Sequence, residues 1–271
     1  MSHVLFDNNG TCSIPPSNIY NADESSFSVC YKPGKVLAAK GKRSVGAITS
    51  LEKGKTMTVL CYVNAVGSFI PPMIVYSRVR MKPAFSYRAP AGCLGVAAKS
   101  GWINTELLTR WFEYFLTYAK PSVNGPKTLL VLGGHCSHVK NLEVIKRAHE
   151  SNVVIISSPS HCTHKLQPLD ISFFKSVNVN YNKAIQCWHR EHPGRPVTEE
   201  DFAELFSGAY GIAATVKNAT SGFRASGIFP FNPNVFSDKD FLAPDATDRP
   251  IYSRTDEDTG MTTIPRLQRH Q

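Results

Sequence analysis

Three short polar segments interrupt an otherwise apolar framework, and each holds residues able to carry chemistry. The first is Asn21-Ala22-Asp23-Glu24-Ser25-Ser26. The second, Gly133-Gly134-His135-Cys136-Ser137-His138, follows directly on the apolar run TLLVL at 128–132. The third spans 159–170 behind another apolar run and holds His161, Cys162, His164, Lys165, Gln167 and Asp170. Ends of neighbouring central strands are where an α/β protein usually builds a site. On an extended strand Asp23 and Glu24 point to opposite faces, so only one of them serves a given site. The pairs His135/His138 and His161/His164, with Cys136 and Cys162 between them, offer a different chemistry, tetrahedral Zn2+. A phosphate-binding loop is excluded, because Gly41-Lys42-Arg43-Ser44 has Val36 where the upstream glycine belongs. Neither His-Glu-x-x-His nor Gly-x-Ser-x-Gly occurs.

Periodicity predicts the elements that must hold these segments. A short strand over 18–22 reaches Asp23. The runs TMTVLCYVN (56–64) and FIPPMIVY (69–76) predict two strands joined by a hairpin turn at 65–68. Pro71-Pro72 predicts a bulge or an edge position in the second. Leu107, Leu108, Trp111, Phe112, Phe115 and Leu116 recur at helical spacing over 106–118, with Asn104 or Thr105 as cap and Lys120-Pro121 as stop. That aromatic stripe belongs to a core rather than to a base-stacking platform. TLLVL predicts a strand buried on both faces, followed by a short helix over 141–150 and a buried strand over 153–156. A long helix from Asp170 carries Phe173, Phe174, Val177, Tyr181, Ile185 and Trp188 along one face and stops at His192-Pro193-Gly194. Thr198 and Asp201 form a capping box for a further helix with Phe202, Leu205, Phe206 and Ala209. Antiparallel strands followed by β-α-β crossovers imply an α/β fold, a mixed sheet flanked by helices. Residues 1–15 read as a lead-in, 16–236 as the domain and 237–271 as a polar tail.

At 271 residues, 42% of them hydrophobic and 19% charged, the chain has the composition of a globular protein. No apolar run reaches the ~18 residues of a membrane span, and residues 1–10 lack a signal-peptide layout, so neither a membrane nor secretion is expected. Seven scattered cysteines, with no Cys-x-x-Cys, argue against a disulfide framework and a zinc ribbon. The net charge of +9 favours an anionic partner. Cations concentrate early, at Lys32, Lys35, Lys40, Lys42, Arg43, Lys53 and Lys55, then at Arg78, Arg80, Lys82 and Arg88.

Four blocks together resemble a known family. IPPSNIYNADESSFS, LLVLGGHCSHVKN, SPSHCTHKLQPLDISFFK and SGFRASGIFPFNPNVF are similar to the catalytic domain of pogo/Tigger/jerky transposases, the DDE-1 group of the mariner superfamily. The blocks occur in family order and span roughly residues 14–236. The resemblance implies an RNase-H-like (retroviral-integrase-like) fold in which three carboxylates hold two Mg2+ or Mn2+ ions that cut and rejoin DNA. Two such ions, about 3.5–4 Å apart, activate the attacking oxygen and stabilise the leaving one.

By position the first carboxylate matches Asp23 and the third Asp170. The second belongs in an Asp-Gly-His-x-Ser-His segment, and here Gly133 stands at the aspartate position. Gly134, His135, His138, His161, His164 and Gln167 then belong to site architecture rather than to a zinc site. Metal binding is expected to be weak or absent, because two carboxylates leave two ions underneutralised and imidazole is a poor replacement around Mg2+. The nearest substitute carboxylate is Glu143. The implied function is a transposase-derived, nuclear, endonuclease-like domain that binds DNA without sequence preference, through Lys40, Lys42, Arg43 and Lys165 among others, and does not cut it. Alternatives are an active endonuclease or transposase with a substitute ligand, and a recruited protein-interaction module. A homodimer is a further expectation, a small-molecule cofactor is not. Helix-turn-helix modules usually precede this domain in the family, and a chain that starts almost at the first block looks like a truncated copy, a fragment or a domain freed from its DNA-reading module.

Overall fold

Alternation in two strands decides how the molecule is layered. In the computed structural model, which describes residues 14–30, 55–133, 141–159 and 162–237, strand β1 (Ile19–Ser28) sits between β2 (Thr56–Asn64) and β5 (Thr128–Leu132). Its odd-numbered Ile19 and Phe27 face one apolar cluster, and its even-numbered Tyr20 and Ala22 face another. Leu129 and Val131 of β5 likewise join the first cluster, and Leu130 and Leu132 the second. Both strands are thus buried on two sides, as expected of TLLVL.

With β3 (Phe69–Tyr76), β4 (Leu94–Ala97) and β6 (Val153–Ser157) the sheet has the order β4-β3-β2-β1-β5-β6. The β1–β2 and β2–β3 pairs are antiparallel, whereas β1–β5, β5–β6 and β3–β4 are parallel. Helices α1 (Thr105–Ala119) and α2 (Leu142–Glu150) cover one face, with Trp111, Phe112 and Phe115 fully buried there. The opposite face is covered by α4 (Phe174–Glu191), α5 (Glu199–Ala213) and α6 (Val216–Ala225), through Phe174, Val177, Tyr181, Phe202, Phe206 and Phe223. This is the expected mixed sheet flanked by helices, in the RNase-H-like arrangement. Ile14, Pro15 and Ser237 apart, the lead-in and the tail lie outside the described residues.

Several expectations are met at the level of single bonds. The Asn104 side chain caps α1 by accepting from the Leu107 N–H at 2.8 Å, and Lys120 closes that helix in the left-handed region, at φ 44°. The Asp201 carboxylate accepts from the Thr198 N–H at 2.8 Å, completing the capping box of α5. Gly67, at φ +92°, turns the β2–β3 hairpin. Pro71-Pro72 falls at a bulge: pairing passes from Leu60↔Met73 to Tyr62↔Ile70, so the two prolines oppose Cys61 alone.

Four features differ from expectation. β1 does not end at Asp23 but runs to Ser28, because the long apolar strand β2 pairs with it from Tyr20↔Asn64 to Ser28↔Thr56 and overrides the weak strand propensity of Asp-Glu-Ser-Ser. The four-residue β4 carries too short a pattern to be foreseen. Helix α6, with Thr215 capping it through Asn218 N, was not expected. The long helix does not begin smoothly at Asp170. A short helix α3 (Thr163–Leu166) comes first, then a π-helical turn (Leu169–Phe173), and only then α4.

Helix α6 holds that turn in place. A Cβ on Gly222 would lie 2.4 Å from the Pro168 carbonyl oxygen and 2.6 Å from Ser172 Oγ. Ser172 donates to the Asn218 carbonyl at 2.6 Å, so helix and turn meet at backbone distance. Gly222→Ala should therefore lower stability by about 1–3 kcal/mol through overpacking. Gly208→Ala, in α5 with nothing near its added methyl group, should raise it by up to about 1 kcal/mol through helix propensity. Urea denaturation of both variants checks the contrast; equal effects would contradict it.

Candidate metal centre

Parallel register places the first two site positions side by side. β1 and β5 pair from Ile19↔Leu129 to Ala22↔Leu132, so Asp23 and Gly133 are the next residues on each strand. Both continue the odd-numbered series that faces α4 and α6. A Cβ built on Gly133 would lie 3.0 Å from Asp23 Oδ1 and 4.0 Å from Gln167 Nε2. Any side chain at 133 therefore starts out against the Asp23 carboxylate. The Gly133 backbone is not in the left-handed region, so the conformation itself does not require glycine.

The third position arrives through the π-helical turn. Asp170 is half-buried and its carboxylate is hydrogen-bonded to that of Asp23 and to the Thr163 side chain, with His164 close enough to favour its charged form. Extra residues in a helical turn of this kind recur at functional sites, and here the turn presents Asp170 to the end of the sheet. Asp23, Gly133 and Asp170 are thus brought together as the family resemblance implies.

A network of buried amides sets the arrangement. Asn21, fully buried, donates from Nδ2 to the Val131 carbonyl at 3.1 Å and to Gln167 Oε1, and its Oδ1 accepts from the Leu169 N–H at 3.0 Å. Gln167, also fully buried, donates from Nε2 to Ser158 Oγ at 2.8 Å. Gln167 was expected as site architecture. Asn21 and Ser158 were not singled out, although an asparagine two residues before Asp23 on a buried strand face is a signal: such an amide must find partners for both of its ends. Lys165 is half-buried on α3 and His164 is exposed beside it. Gly134, His135, His138, His161, Lys40, Lys42 and Arg43 lie outside the described residues, as does most of the pattern that suggested zinc.

Electrostatics follow from two carboxyl groups in one half-buried place. The Asp23 carboxyl is pushed up to about 8, first by burial and then by the Asp170 carboxylate, against a backbone hydrogen bond at Glu24. Burial also raises Asp170, while Asp23, Thr163 and His164 act in the opposite direction. Cys61, paired across the strands with Asp23, has its thiol raised well above the usual range by burial. A divalent ion between Asp23 and Asp170 would relieve the crowding of charge, so the donor set fits one such ion. Among the described residues no group of three His, Cys, Asp or Glu side chains could hold a metal. Glu143 is not part of this centre. It stands exposed at the start of α2, on the opposite face of the sheet, where its carboxylate accepts from the Thr109 hydroxyl at 3.4 Å.

The raised Asp23 carboxyl has a consequence for stability. Between its unfolded value of 3.8 and about 8 the native protein holds a proton that the unfolded chain has lost. Stability should therefore fall as pH rises through this window, by at most about 1.4 kcal/mol per pH unit. Denaturant midpoints measured from pH 5 to 8 without divalent ions check this. Asp23→Asn should flatten the decline; a wild-type midpoint that rises over the same range would contradict it.

Comparison with known proteins gives the family. The family model described as DDE superfamily endonuclease matches residues 54–204, more than half of the chain. A curated relative from Cochliobolus lunatus, named MFS-type transporter clz9, is 29% identical over 238 residues, which are 84% of this chain and 25% of that protein. The chain thus spans about a quarter of that relative's length, and among its described residues no helix is long and apolar enough to cross a membrane. Among solved structures, the Mos1 transposase paired-end complex with left transposon end is similar at TM-score 0.44 and 12% identity, over 80% of this chain and 56% of that one. The Mos1 mariner paired end complex with Mn gives 0.44 and 10%, over 79% and 55%. On the match to its family model, the chain belongs to the DDE superfamily endonucleases.

Proposed function

We propose that this transposase-derived domain acts in the nucleus, binds DNA along the surface around Asp170, and does not cleave it. The observation that carries the reading is the direction of position 133. Its side chain would start 3.0 Å from Asp23 Oδ1, where a third carboxylate would join Asp23 and Asp170, and glycine supplies none. Bound between Asp23 and Asp170, a Mg2+ or Mn2+ ion would supply Lewis acidity and a docking point for phosphate oxygens. One ion cannot stabilise the attacking and leaving oxygens together as two ions do.

Charge distribution supports the nucleic-acid part. The cations that follow β3 are largely paired within the protein: Arg78 with Glu199, which also binds Lys55 from before β2, Lys82 with Glu200 at 3.8 Å, and Arg88 with Glu204. Of that stretch only Arg80 makes no ion pair among the described residues. By contrast, the segments framing Asp170, residues 162–186 and 215–237, carry Lys165, Lys175, Lys183, Lys217 and Arg224 with Asp170 as their single carboxylate. Lys175, Lys183, Lys217 and Arg224 are exposed. A cationic surface of this kind suits a phosphate backbone and carries no base readout.

Incubating the wild-type chain with supercoiled DNA and Mg2+ or Mn2+ tests the reading, and no nicking above background is expected. Metal-dependent nicking that disappears in Asp170→Ala would overturn it. Duplex binding followed by fluorescence anisotropy should weaken several-fold in a Lys217→Ala, Arg224→Ala double variant, with the log–log salt slope shallower by up to about 2. Unchanged binding would remove this surface from the proposal.

A further inference from the structure

Asn21 reaches every segment that carries a site position. It lies two residues before Asp23 on the same strand face. Its Nδ2 donates at 3.1 Å to the carbonyl of Val131, two residues before Gly133, and its Oδ1 accepts at 3.0 Å from the N–H of Leu169, one residue before Asp170. Through the same Nδ2 it holds Gln167 Oε1, and Gln167 carries the linkage on to Ser158 beyond β6 at 2.8 Å. The Gln167 amide nitrogen in turn lies 4.0 Å from where a side chain at 133 would begin. None of these bonds belongs to the sheet ladder, and no other residue type of this size offers a donor and an acceptor that meet them together.

We propose that Asn21, acting with Gln167, is the positioning residue of the centre. It sets Asp170 against Asp23 and so fixes the affinity of the site for a divalent ion. Asn21 does not touch the ion; it fixes the turn that presents Asp170, in the way that outer groups around a metal orient its ligands. This inference rests on the reading of Asp23, Gly133 and Asp170 as the vertices of one centre.

The experiment measures Mn2+ affinity by electron paramagnetic resonance of the unbound ion. It uses wild type, Gly133→Asp, and Gly133→Asp combined with Asn21→Leu. A fourth protein combines Gly133→Asp with Leu130→Ala, matched to Asn21→Leu in loss of thermal stability but placed on the opposite face. Gly133→Asp should tighten Mn2+ binding. Adding Asn21→Leu should weaken it again by about tenfold or more, while adding Leu130→Ala should leave it unchanged. Affinity that ignores Asn21→Leu, or falls equally with Leu130→Ala, would overturn the proposal. If Asn21→Leu does not fold, Gln167→Met, similar in volume and unable to donate or accept as an amide, takes its place. If Gly133→Asp gains no Mn2+ binding, the three-vertex reading fails, and the positioning role is then decided by the crystal structure of Asn21→Leu. Asp170 parted from Asp23 there supports positioning, and Asp170 unmoved overturns it.

Discussion

The parallel pairing of β1 with β5 is the constraint on which the site depends. Because the two strands run in the same direction and in a fixed register, Ala22 meets Leu132, and the residues that follow stand side by side on one face. A slip of one residue would send Asp23 to the α1 side of the sheet, away from Asp170. Burial of both faces forbids such a slip, since Ile19 and Tyr20 of β1 would exchange clusters. The apolar framework therefore fixes the geometry of the polar centre, and does so whatever residue occupies position 133.

The same division of faces keeps Glu143 away from Asp23 and Asp170. Glu143 is near Gly133 in sequence, but α2 packs on the cluster built from Tyr20, Leu130 and Trp111, whereas Asp23 and Asp170 lie on the side of Phe173 and Phe223. A carboxylate on the wrong face of a sheet cannot be brought round by side-chain flexibility. The charge pattern is divided as well. Glutamates of α5 pair with Arg78, Lys82 and Arg88, which follow β3, whereas the segments around Asp170 hold that one carboxylate among several cations.

Much of this was legible in the sequence, and the exceptions have physical reasons. Strands β2, β3 and β5 and helices α1 and α5 announce themselves through periodicity and caps such as Asn104 and Thr198. Asp23, Gly133 and Asp170 could be paired with one another only through the family resemblance, because nothing local shows that residues 110 and 147 positions after Asp23 meet it. The extension of β1 past Asp23 was hidden, since it depends on pairing with β2 and not on its own residues. The π-helical turn was hidden as well: it packs against α6 at Gly222, a contact between distant segments. Asn21 looked like an ordinary strand residue until its three partners were known. The basic stretch 78–88 was counted among the cations favouring an anionic partner, and tertiary pairing with α5 takes up Arg78, Lys82 and Arg88.

The central claim is that glycine at 133 leaves a centre with two of three carboxylates. Anomalous diffraction from crystals of the wild-type protein and of Gly133→Asp, both soaked in Mn2+, counts the ions directly. The account predicts at most one ion, between Asp23 and Asp170, in the wild type and two in Gly133→Asp. Two ions bound at this centre in the wild-type protein would contradict it.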